Sequence, residues 1–399
     1  MIRDIEKALK TYWGYDGFLP LQKEAMTSVL GGRDSIVVLS TGGGKSICYQ
    51  APAVVLPGLA LVVSPLISLM KDQVDALNEC GVQAARLDSS MSPEERRAVY
   101  SRIQQGTLKL LYLSPERLVS DGFIERLGKT ELSFIAVDEA HCVSMWGHDF
   151  RPDYRELGLL KKAYPDKAIH AFTATATERV RNDIARQLRL EKPELLVGAF
   201  DRPNLVYKVT RRGKIVNQVC AVLDQHQSES GIIYCIRRKD VDKMCVVLTD
   251  KGYRVLPYHA GMGDQERKIN QEAFIREKVN VIVATVAFGM GIDKSNVRYV
   301  IHAGMPKSLE HYQQESGRAG RDGLEADCVL FYSAGDYGTW QRILREMDPE
   351  PKEIALGKVQ EIFNFCTGVT CRRQAILNYF GQDLGKANCG ACDVCLGDL

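Results

Sequence analysis

Short apolar runs that alternate with segments of helical periodicity constrain the fold of this chain most strongly. The runs are rich in β-branched residues and contain few polar ones, which is typical of parallel strands covered by helices on both faces. The first series occupies residues 35–39, 59–64, 108–114, 134–138 and 168–173. Residues 177–188 show a 3.6-residue period and are predicted to form a helix. The sequence therefore predicts an α/β fold built on parallel sheets.

A second series of apolar runs follows the first. It occupies residues 231–235, 254–258, 279–285, 297–302 and 328–332. The chain has 399 residues, whereas single cores usually stop growing at about 250–300 residues. The simplest interpretation is two α/β domains joined near "FDRPN", residues 200–204, with a helical tail after the strands stop at about Asp336. The predicted domains are 1–204, 205–337 and 338–399.

Composition and charge indicate an ordinary globular protein. Hydrophobic residues make up 45% and charged residues 26%, and the net charge is +2. Binding to nucleic acid therefore depends on local basic surface. No apolar run approaches the ~20 residues that span a membrane, and the N-terminus lacks the features of a signal peptide. We expect no membrane partner and an intracellular location: cytoplasm or nucleoid in a bacterium, nucleus in a eukaryote.

The stretch "TGGGKS", residues 41–46, follows the first predicted strand and precedes a helix starting near Lys45. Successive glycines let backbone N–H groups converge on phosphate oxygens, with Lys45 on the β and γ phosphates and Ser46 on Mg²⁺. Leu39 occupies the place of the first glycine of the full motif, so a glycine-rich turn with an incidental lysine is the alternative. The predicted nucleotide contacts here are Thr41, Gly42, Gly43, Gly44, Lys45 and Ser46.

The stretch "FIAVDEAH" places two carboxylates at the end of an apolar strand. Asp138 is predicted to hold the Mg²⁺ of a nucleotide, and Glu139 to orient or deprotonate the attacking water. A strand that happens to end in acidic residues is the alternative. Together with the phosphate loop, the pair predicts ATP hydrolysis.

These motifs and their neighbours resemble superfamily 2 helicases, and specifically the RecQ family of DNA helicases. The matching stretches cover nearly the whole chain, and the segment after "DEAH" separates this family from its relatives. They are "GYDGFLPLQ", "TGGGKSICYQ", "SPLISLMKDQV", "LYLSPERL", "DEAHCVSMWGHDFRPDY", "FTATAT", "YHAGM", "ATVAFGMGIDK" and "QQESGRAGRDG".

The resemblance implies two RecA-like parallel-sheet domains in tandem, followed by a small helical zinc-binding subdomain. It implies ATP between the domains, single-stranded DNA across them, and 3′→5′ unwinding of forked or duplex DNA in repair and recombination. Gln22 would contact the adenine edge and Tyr15 would lie beside the base. Leu19 stands where the family often has an arginine, which weakens the adenine contact there. We expect a monomer.

Two segments of the second domain are also assigned by this resemblance. "QESGRAGR", residues 314–321, carries two arginines three residues apart on a predicted helix, so that both face one surface. Arg321 is the predicted arginine finger and Arg318 the γ-phosphate contact, and Gln314 belongs to the same catalytic group. A solvated basic helix is the alternative. "AFGMGID" is predicted to link the nucleotide and nucleic-acid sites, and its nucleotide contacts are Gly291 and Asp293.

The loop after the acid pair is predicted to sense single-stranded DNA. Bases stack on aromatic faces for about 1–3 kcal/mol each, and the polar surroundings of Trp146 and Phe150 are unusual for a core segment. Arg151 would pair with phosphate or stack, and His141 would contact DNA or, with His148, carry hydrogen bonds from this loop to the neighbouring half. The alternative is that the aromatic residues pack in a core, which is the fate we expect for Tyr154. The predicted DNA contacts are His141, Trp146, Phe150 and Arg151.

The last residues gather several of the twelve cysteines. "NCGACDVC" has C-x₂-C-x₂-C spacing, which suits tetrahedral Zn²⁺. The resemblance selects Cys371 as the fourth ligand, although Cys366 also has a feasible spacing. An iron–sulfur cluster is a further alternative. The predicted zinc ligands are Cys371, Cys389, Cys392 and Cys395.

Two other functions fit parts of the sequence. Superfamily 2 cores also remodel RNA, and no residue pattern tests for contact with a 2′-hydroxyl. A nucleic-acid-binding scaffold that merely keeps the fold is the other. Four intact residues argue against it: Lys45, Asp138, Glu139 and Arg321. The chain stops four residues after Cys395, where many relatives continue into a winged helix. We therefore expect strong DNA-stimulated ATPase activity, whereas the sequence does not predict how efficiently duplex DNA is unwound.

Overall fold

A computed structural model describes residues 1–119, 122–128, 130–289 and 294–398. The chain divides into two compact units, Met1–Ala199 and Phe200–Leu399. Each unit contains one parallel sheet. None of the helices in the described ranges has the length and apolar character needed to cross a lipid bilayer.

The described residues of the first unit form a seven-stranded sheet in the order β3-β4-β2-β5-β6-β1-β7. All of its paired strands run parallel. The five predicted strands are confirmed, while two strands were missed because they lie at the sheet edges, where the apolar pattern is weaker. The strands are β1 Ser35–Val38, β2 Leu59–Val63, β3 Ala84–Leu87, β4 Leu110–Leu113, β5 Leu132–Val137, β6 Ile169–Thr173 and β7 Glu194–Val197.

Helices cover both faces of this sheet, as its nearly all-apolar strands require. The predicted helix 177–188 is confirmed as α9, and the Thr177 side chain caps its first turn by accepting a hydrogen bond from Val180 N. The helices are α1 Ile2–Ala8, α2 Gln22–Leu30, α3 Ile47–Val55, α4 Ile67–Glu79, α5 Pro93–Gln104, α6 Pro115–Val119, α7 Phe123–Leu127, α8 Gly158–Ala163 and α9 Glu178–Gln187. A π-helix, Leu9–Trp13, and two 3₁₀ helices, Ala140–Val143 and Pro152–Leu157, complete the unit.

The sheet order brings the predicted motifs of the first unit to one edge. Strand β6 pairs with β1 on one side and with β5 on the other, and β5 also pairs with β2. Since these strands are parallel, their carboxyl ends lie together. The phosphate loop follows β1, the acid pair follows β5, and Thr173 ends β6. Segments far apart in sequence therefore form one site.

The described residues of the second unit form a six-stranded parallel sheet in the order β10-β11-β9-β12-β13-β8. The five predicted strands are again confirmed, and the missed strand, β8, is an edge strand whose buried and partly exposed residues alternate. The strands are β8 Leu205–Arg211, β9 Ser230–Tyr234, β10 Val255–Tyr258, β11 Val281–Ala284, β12 Val297–His302 and β13 Ala326–Tyr332.

The helices of the second unit pack around this sheet and continue past its last strand. They are α10 Ile215–Gln225, α11 Arg238–Asp250, α12 Asp264–Ile275, α13 Leu309–Ser316, α14 Ala334–Ile343, α15 Pro349–Thr367, α16 Arg372–Tyr379 and α17 Asp393–Leu396. A short 3₁₀ helix, Leu344–Glu346, joins α14 to α15. Among the described residues no strand follows β13, as the sequence predicts.

The predicted domain boundaries at residues 204 and 338 do not coincide with the compact units or the ends of helices in the structure. The units divide after Ala199 rather than after residue 204. The Phe200 ring stacks on Phe380 at 4.4 Å, and its backbone N–H donates to Gln382 at 2.9 Å, so residues 200–204 belong to the second unit. The predicted start of the helical subdomain, residue 338, falls inside α14. The sequence pattern showed where the strands of the first unit ended, but it did not show that residues 200–204 pack against the second unit.

Candidate nucleotide and nucleic-acid site

The phosphate loop has the backbone conformation that its glycines allow. Gly42 and Gly44 have φ values of +86° and +68°, in the left-handed region that favours glycine. Gly43 N donates to Ser40 O at 2.9 Å and closes the turn. Helix α3 begins at Ile47, with Ser46 as its N-cap. Its free N–H groups and positive dipole end face the loop, which is the usual arrangement for binding phosphate.

Gln22 packs directly against this loop. Its side-chain Oε1 accepts a hydrogen bond from Leu19 N at 2.8 Å, and its Nε2 donates to Gly44 O at 3.3 Å. A Cβ at Gly44 would lie closer than 3.0 Å to that nitrogen, so a side chain there would displace Gln22. Tyr15 is 55% exposed, which leaves its ring accessible for stacking on a base.

Asp138 lies directly after β5 and is buried. Its Oδ1 accepts a hydrogen bond from Glu139 N at 2.9 Å, and its Oδ2 accepts one from the Tyr49 hydroxyl at 3.4 Å. Burial raises the pKa of Asp138, and the nearby charge of Lys45 opposes this effect. The structure thus brings the predicted phosphate-binding lysine and the predicted metal-binding carboxylate into one electrostatic site.

Glu139 has an unusual backbone conformation. Its φ and ψ are both 46°, the left-handed region, which costs about 1–3 kcal/mol in a residue other than glycine and is common at functional sites. Its Oε2 lies 3.3 Å from His141 Nδ1. The conformation turns the chain sharply from β5 into the 3₁₀ helix Ala140–Val143. The carboxylate is therefore held against a histidine at the start of the predicted sensor loop.

The structure does not place His141 where DNA would reach it. The residue is 1% exposed, and its Nδ1 lies 2.9 Å from Thr173 Oγ1. Its ring stacks on His148 at 3.9 Å with an interplanar angle of 20°. His148 Nδ1 in turn lies 3.4 Å from Thr175 Oγ1. The burial of His141 does not fit the predicted direct contact with DNA. The residue contacts Glu139 and the loop instead.

The aromatic loop, residues 144–151, presents Trp146 at its surface as a half-buried side chain. The guanidinium carbon of Arg179 lies 2.9 Å from the centroid of the indole ring. Phe150 is also half-buried, and Arg155 lies over its ring at 5.0 Å. Both rings therefore offer a face on which a planar cation already rests, the kind of face on which bases also stack.

Contacts at the base of the loop hold it in place. Ser144 Oγ donates to Asp183 Oδ2 on α9 at 2.7 Å and accepts from Trp146 N at 3.2 Å. Arg151 Nη1 donates to Pro65 O at 2.8 Å. Burial opposes the charge of Arg151, but Asp149 raises its pKa above the ordinary value. Arg151 is therefore a fixed cation at the edge of the loop.

Sequence reasoning missed Arg179 and Arg155, the cations stacked on the two aromatic rings. Each arginine lies just after a recognised motif, Arg155 after "DEAHCVSMWGHDFRPDY" and Arg179 after "FTATAT", so neither motif points to it. Only the fold brings Arg179 to Trp146. Tyr154 is buried as predicted, and its hydroxyl donates to Asp138 O at 3.3 Å. It packs beneath the acid pair rather than at the surface.

The predicted catalytic arginines of the second unit are not on a helix, which corrects the sequence analysis. Helix α13 ends at Ser316, and residues 317–321, here called the arginine turn, follow it. Gly320 has a φ of +55°, which continues the chain in the left-handed region. Arg318 is 5% exposed and Arg321 half-buried, and Gln314 is half-buried on α13. Gly317 and Gly320 follow the last residue of the helix, as glycines often do at helix C-termini.

Tyr234, at the end of β9, lies beside the arginine turn and was not predicted. Burial raises its pKa, and the charge of Arg318 acts in the opposite direction. Its hydroxyl donates to Phe288 O at 2.7 Å, and its ring stacks on His302 at 5.4 Å. His302 Nε2 lies 2.7 Å from Glu315 Oε2 in a buried pair. The predicted contacts Gly291 and Asp293 lie outside the described residues.

The four predicted metal ligands come together in the second unit. The sulfur atoms of Cys371, Cys389, Cys392 and Cys395 all lie within 4.8 Å of one another. Two of the separations are 3.9 Å, between Cys389 and Cys395, and 4.0 Å, between Cys371 and Cys392. A tetrahedral Zn²⁺ with Zn–S bonds of about 2.3 Å would place its sulfurs about 3.8 Å apart. The donor set and its spacing therefore fit zinc, and the rival Cys366 is not in this group.

Polar contacts around the cysteines orient them. Arg372 N donates to Cys392 Sγ at 3.4 Å, a bond that favours the thiolate. The buried Arg372 side chain pairs with Asp393 at 2.9 Å and donates to Phe365 O at 2.6 Å. Asp393 also accepts from Val209 N on β8 at 3.1 Å. This network ties the cysteine cluster to the sheet of the second unit.

Three protein-family models match successive parts of the chain. The DEAD/DEAH box helicase model matches residues 19–184, and the helicase conserved C-terminal domain matches residues 214–323. The RecQ zinc-binding model matches residues 334–396, which include the cysteine cluster.

Curated relatives agree with these models along nearly the whole chain. The ATP-dependent DNA helicase RecQ of Pasteurella multocida is 47% identical over 97% of this chain and 61% of its own length. The protein of the same name from Bacillus subtilis is 42% identical over 99% of this chain and 67% of its own length. This chain belongs to the RecQ family. It spans about two thirds of the length of these two relatives.

Solved helicase structures share the fold of this RecQ-family chain. The DUF1998 helicase MrfA bound to DNA and AMPPNP has a TM-score of 0.69 at 18% identity, covering 96% of this chain and 58% of MrfA. The DEAD-box helicase Mss116 bound to ssRNA and UDP-BeF has a TM-score of 0.67 at 19% identity, covering 96% of this chain and 81% of Mss116. At such identities the likeness concerns the fold, and it confirms two tandem RecA-like domains.

Proposed function

We propose that this RecQ-family chain is the catalytic core of a DNA helicase that hydrolyses ATP in response to single-stranded DNA. Translocation is 3′→5′, as the family resemblance implies, and the work serves the unwinding of forked or duplex DNA. The observation that carries the proposal is the continuous contact from Glu139 through His141 to His148, two residues from Trp146. The predicted water-activating residue thereby touches the predicted DNA sensor through buried side chains.

The residues of the first unit suit ATP with Mg²⁺. The left-handed glycines of the phosphate loop and the N-terminus of α3 offer N–H groups to phosphate, and Lys45 adds a positive charge. Ser46 and Asp138 would hold Mg²⁺, which supplies a counter-charge for the phosphoryl group that is transferred. Glu139 would hold the attacking water and accept its proton.

DNA would enter this scheme through the aromatic loop. A base that stacks on Trp146 changes the position of residues 144–151, and the stacked rings of His141 and His148 transmit the change to Glu139. Phe150 provides a second stacking face, and Arg151 a fixed cation for phosphate. Hydrolysis would then be fast only when a strand is present.

The remaining assignments support the same function. Arg318 and Arg321 are proposed to stabilise the charge that develops on the transferred phosphoryl group, with Gln314 beside them. The four-cysteine cluster is proposed to hold structural Zn²⁺, because the sulfur separations fit a tetrahedral site. An iron–sulfur cluster is the alternative. Elemental analysis of the purified protein for zinc and iron distinguishes the two.

A matched comparison of oligonucleotides tests the proposal. ATP turnover is measured with single-stranded DNA and with RNA of the same sequence, for the wild type and for Lys45→Ala. The separation of a forked DNA duplex is measured for the same two proteins. We expect stimulation by DNA well above that by RNA, and a loss of about 100-fold or more in Lys45→Ala, since the lysine contacts the transferred phosphates. Lys162→Ala, at an exposed position, is the control.

Two results would contradict the proposal. Clear preference for RNA would identify an RNA-remodelling enzyme. Unchanged strand separation by Lys45→Ala would identify a nucleic-acid-binding scaffold whose activity does not require ATP.

A further inference from the structure

Arg202 lies in the segment that begins the second unit and binds the arginine turn. Its guanidinium donates to three backbone carbonyls of that turn: to Gly317 O at 3.2 Å, Ala319 O at 3.0 Å and Gly320 O at 2.8 Å. The last four carbonyls of a helix lack intrahelical partners, and a turn that follows it adds further ones. One side chain here satisfies three of them.

Asn204, two residues further along, binds the same turn from its other end. Its Nδ2 donates to Gly320 O at 2.9 Å and to Leu324 O at 2.8 Å. A Cβ at Gly320 would lie closer than 3.0 Å to both Asn204 Nδ2 and Leu324 O. Arg202 and Asn204 therefore both bind the carbonyl of Gly320, and the Asn204 side chain occupies the space that a Cβ at Gly320 would need.

The backbone that these bonds fix is the backbone that carries Arg318 and Arg321. Helix α13 ends at Ser316, and backbone bonds from Arg318 N to Glu315 O and from Ala319 N to Ser316 O lead into the turn. The carbonyls of Gly317, Ala319 and Gly320 are in turn bound by the Arg202 side chain. A displacement of about 1 Å of a group that acts on the reacting atoms can lower a rate about 100-fold. The orientation of both arginines therefore depends on the contacts to residues 317–320.

We propose that Arg202 is a positioning residue for the catalytic arginines. It holds the arginine turn in the conformation in which Arg318 and Arg321 act on the phosphoryl group, and Asn204 assists it. This inference rests on the proposed function of those arginines. Lysine cannot substitute, because its three donors share one nitrogen, whereas Arg202 reaches the carbonyls from two nitrogens of a rigid fork.

A purely structural role would affect stability alone, and a matched variant separates the two roles. Arg373 donates to Pro203 O at 3.2 Å and to Leu205 O at 2.7 Å. It thus makes arginine-to-carbonyl bonds at the same segment, and these two acceptor carbonyls lie outside the arginine turn. Arg373→Lys is the control for loss of such bonds.

The experiment compares Arg202→Lys and Arg373→Lys in DNA-stimulated ATP turnover, with KM for ATP, DNA affinity and Tm measured on the same samples. We expect Arg202→Lys to lower kcat about 10- to 100-fold with DNA affinity unchanged. Arg373→Lys should keep kcat within about twofold of the wild-type value, even where its Tm falls by as much as that of Arg202→Lys. Equal kcat in both variants would overturn the proposal.

A double variant distinguishes this proposal from the function on which it rests. Since both changes act through one group, Arg202→Lys combined with Arg321→Lys should lower kcat by clearly less than the product of the two single effects. Full multiplication of the effects would overturn the positioning role alone. An unchanged kcat in Arg321→Lys would overturn the proposed catalytic role of the arginines, and the positioning role with it.

Discussion

Ser144 anchors the aromatic loop through its side chain. Its hydroxyl donates to Asp183 on α9 and accepts from Trp146 N, so it connects the loop to a helix. Burial would raise the pKa of Asp183, but the Ser144 hydroxyl and the Arg186 guanidinium together hold it below the ordinary value. A charged acceptor strengthens the bond from Ser144.

Replacing Ser144 by alanine should loosen the loop without removing its aromatic face. We expect the DNA concentration for half-maximal ATPase stimulation to rise several-fold, because a mobile Trp146 loses entropy on stacking. The free energy of unfolding should fall by about 1–3 kcal/mol. Both are measured, by titration with oligonucleotide and by denaturant unfolding.

Ser92→Ala is the matched control for that experiment. Ser92 caps α5 in a capping box, far along the chain from the loop, and its loss should cost about 1 kcal/mol. Ser92→Ala should leave the DNA titration unchanged. An unchanged titration in Ser144→Ala as well would contradict the role of Ser144 in holding the loop.

Residues in contiguous motifs could be predicted from the sequence, whereas residues that meet only in the fold could not. Lys45 and Asp138 stand out because their short motifs follow recognisable strands. Arg202 and Tyr234 have no local pattern: Arg202 reaches carbonyls more than 100 residues away in the chain. The sequence predicted His141 as a DNA contact, whereas in the structure the residue is buried, and burial cannot be read from a local motif.

Central strands were predictable and edge strands were not. A central parallel strand is apolar on both faces, so its sequence is nearly unbroken, whereas β3, β7 and β8 lie at sheet edges and mix polar with apolar residues. The helix predicted around Arg318 failed for a related reason. Periodicity within residues 314–321 fits a helix, but the glycines end it and side chains from residues 202–204 stabilise the turn instead.

Helices α16 and α17 depend on the cysteine cluster, and metal removal should show this. Cys371 immediately precedes α16, and Cys392 immediately precedes α17. We expect a zinc chelator to lower Tm, because structural zinc contributes directly to folding. Cys371→Ser should lower both bound zinc and Tm.

Cys366→Ser is the control for the metal experiment, since Cys366 is buried in α15 outside the cluster. It should keep one zinc per chain by elemental analysis. The reverse result, zinc lost from Cys366→Ser and retained in Cys371→Ser, would contradict the assignment.

The link between β13 and the residues before β9 should weaken as the pH rises. His226 Nε2 lies 3.0 Å from Asp327, and its Nδ1 lies 2.7 Å from Glu229. The hydrogen bond to Asp327 and that to Glu229 raise the pKa of His226 above its usual 6.5, against partial burial. Because the folded pKa is the higher one, the stabilisation is complete below pH 6.5 and is lost as the pH rises through the folded pKa.

Thermal unfolding at a series of pH values checks this. The difference in Tm between the wild type and His226→Gln should be largest below about pH 6.5 and should shrink at higher pH. A difference that stays constant or grows with pH would contradict the assigned ion pairs.

The molecule as a whole confirms the predicted plan of two parallel-sheet domains with helices after the last strand. Its division after Ala199 could not be read from the sequence, because residues 200–204 resemble a connection and only their packing assigns them to the second unit. This placement has a functional consequence. The segment that begins the second unit is also the segment that holds the arginine turn.

The central claim is that ATP hydrolysis depends on a base stacked on Trp146. The most direct test is ATP turnover with and without a single-stranded oligonucleotide for the wild type, Trp146→Phe and Trp146→Ala. We predict that Trp146→Ala loses about 10-fold or more of its stimulation while basal turnover stays within about twofold, and that Trp146→Phe retains part of it. Undiminished stimulation of Trp146→Ala would contradict the account.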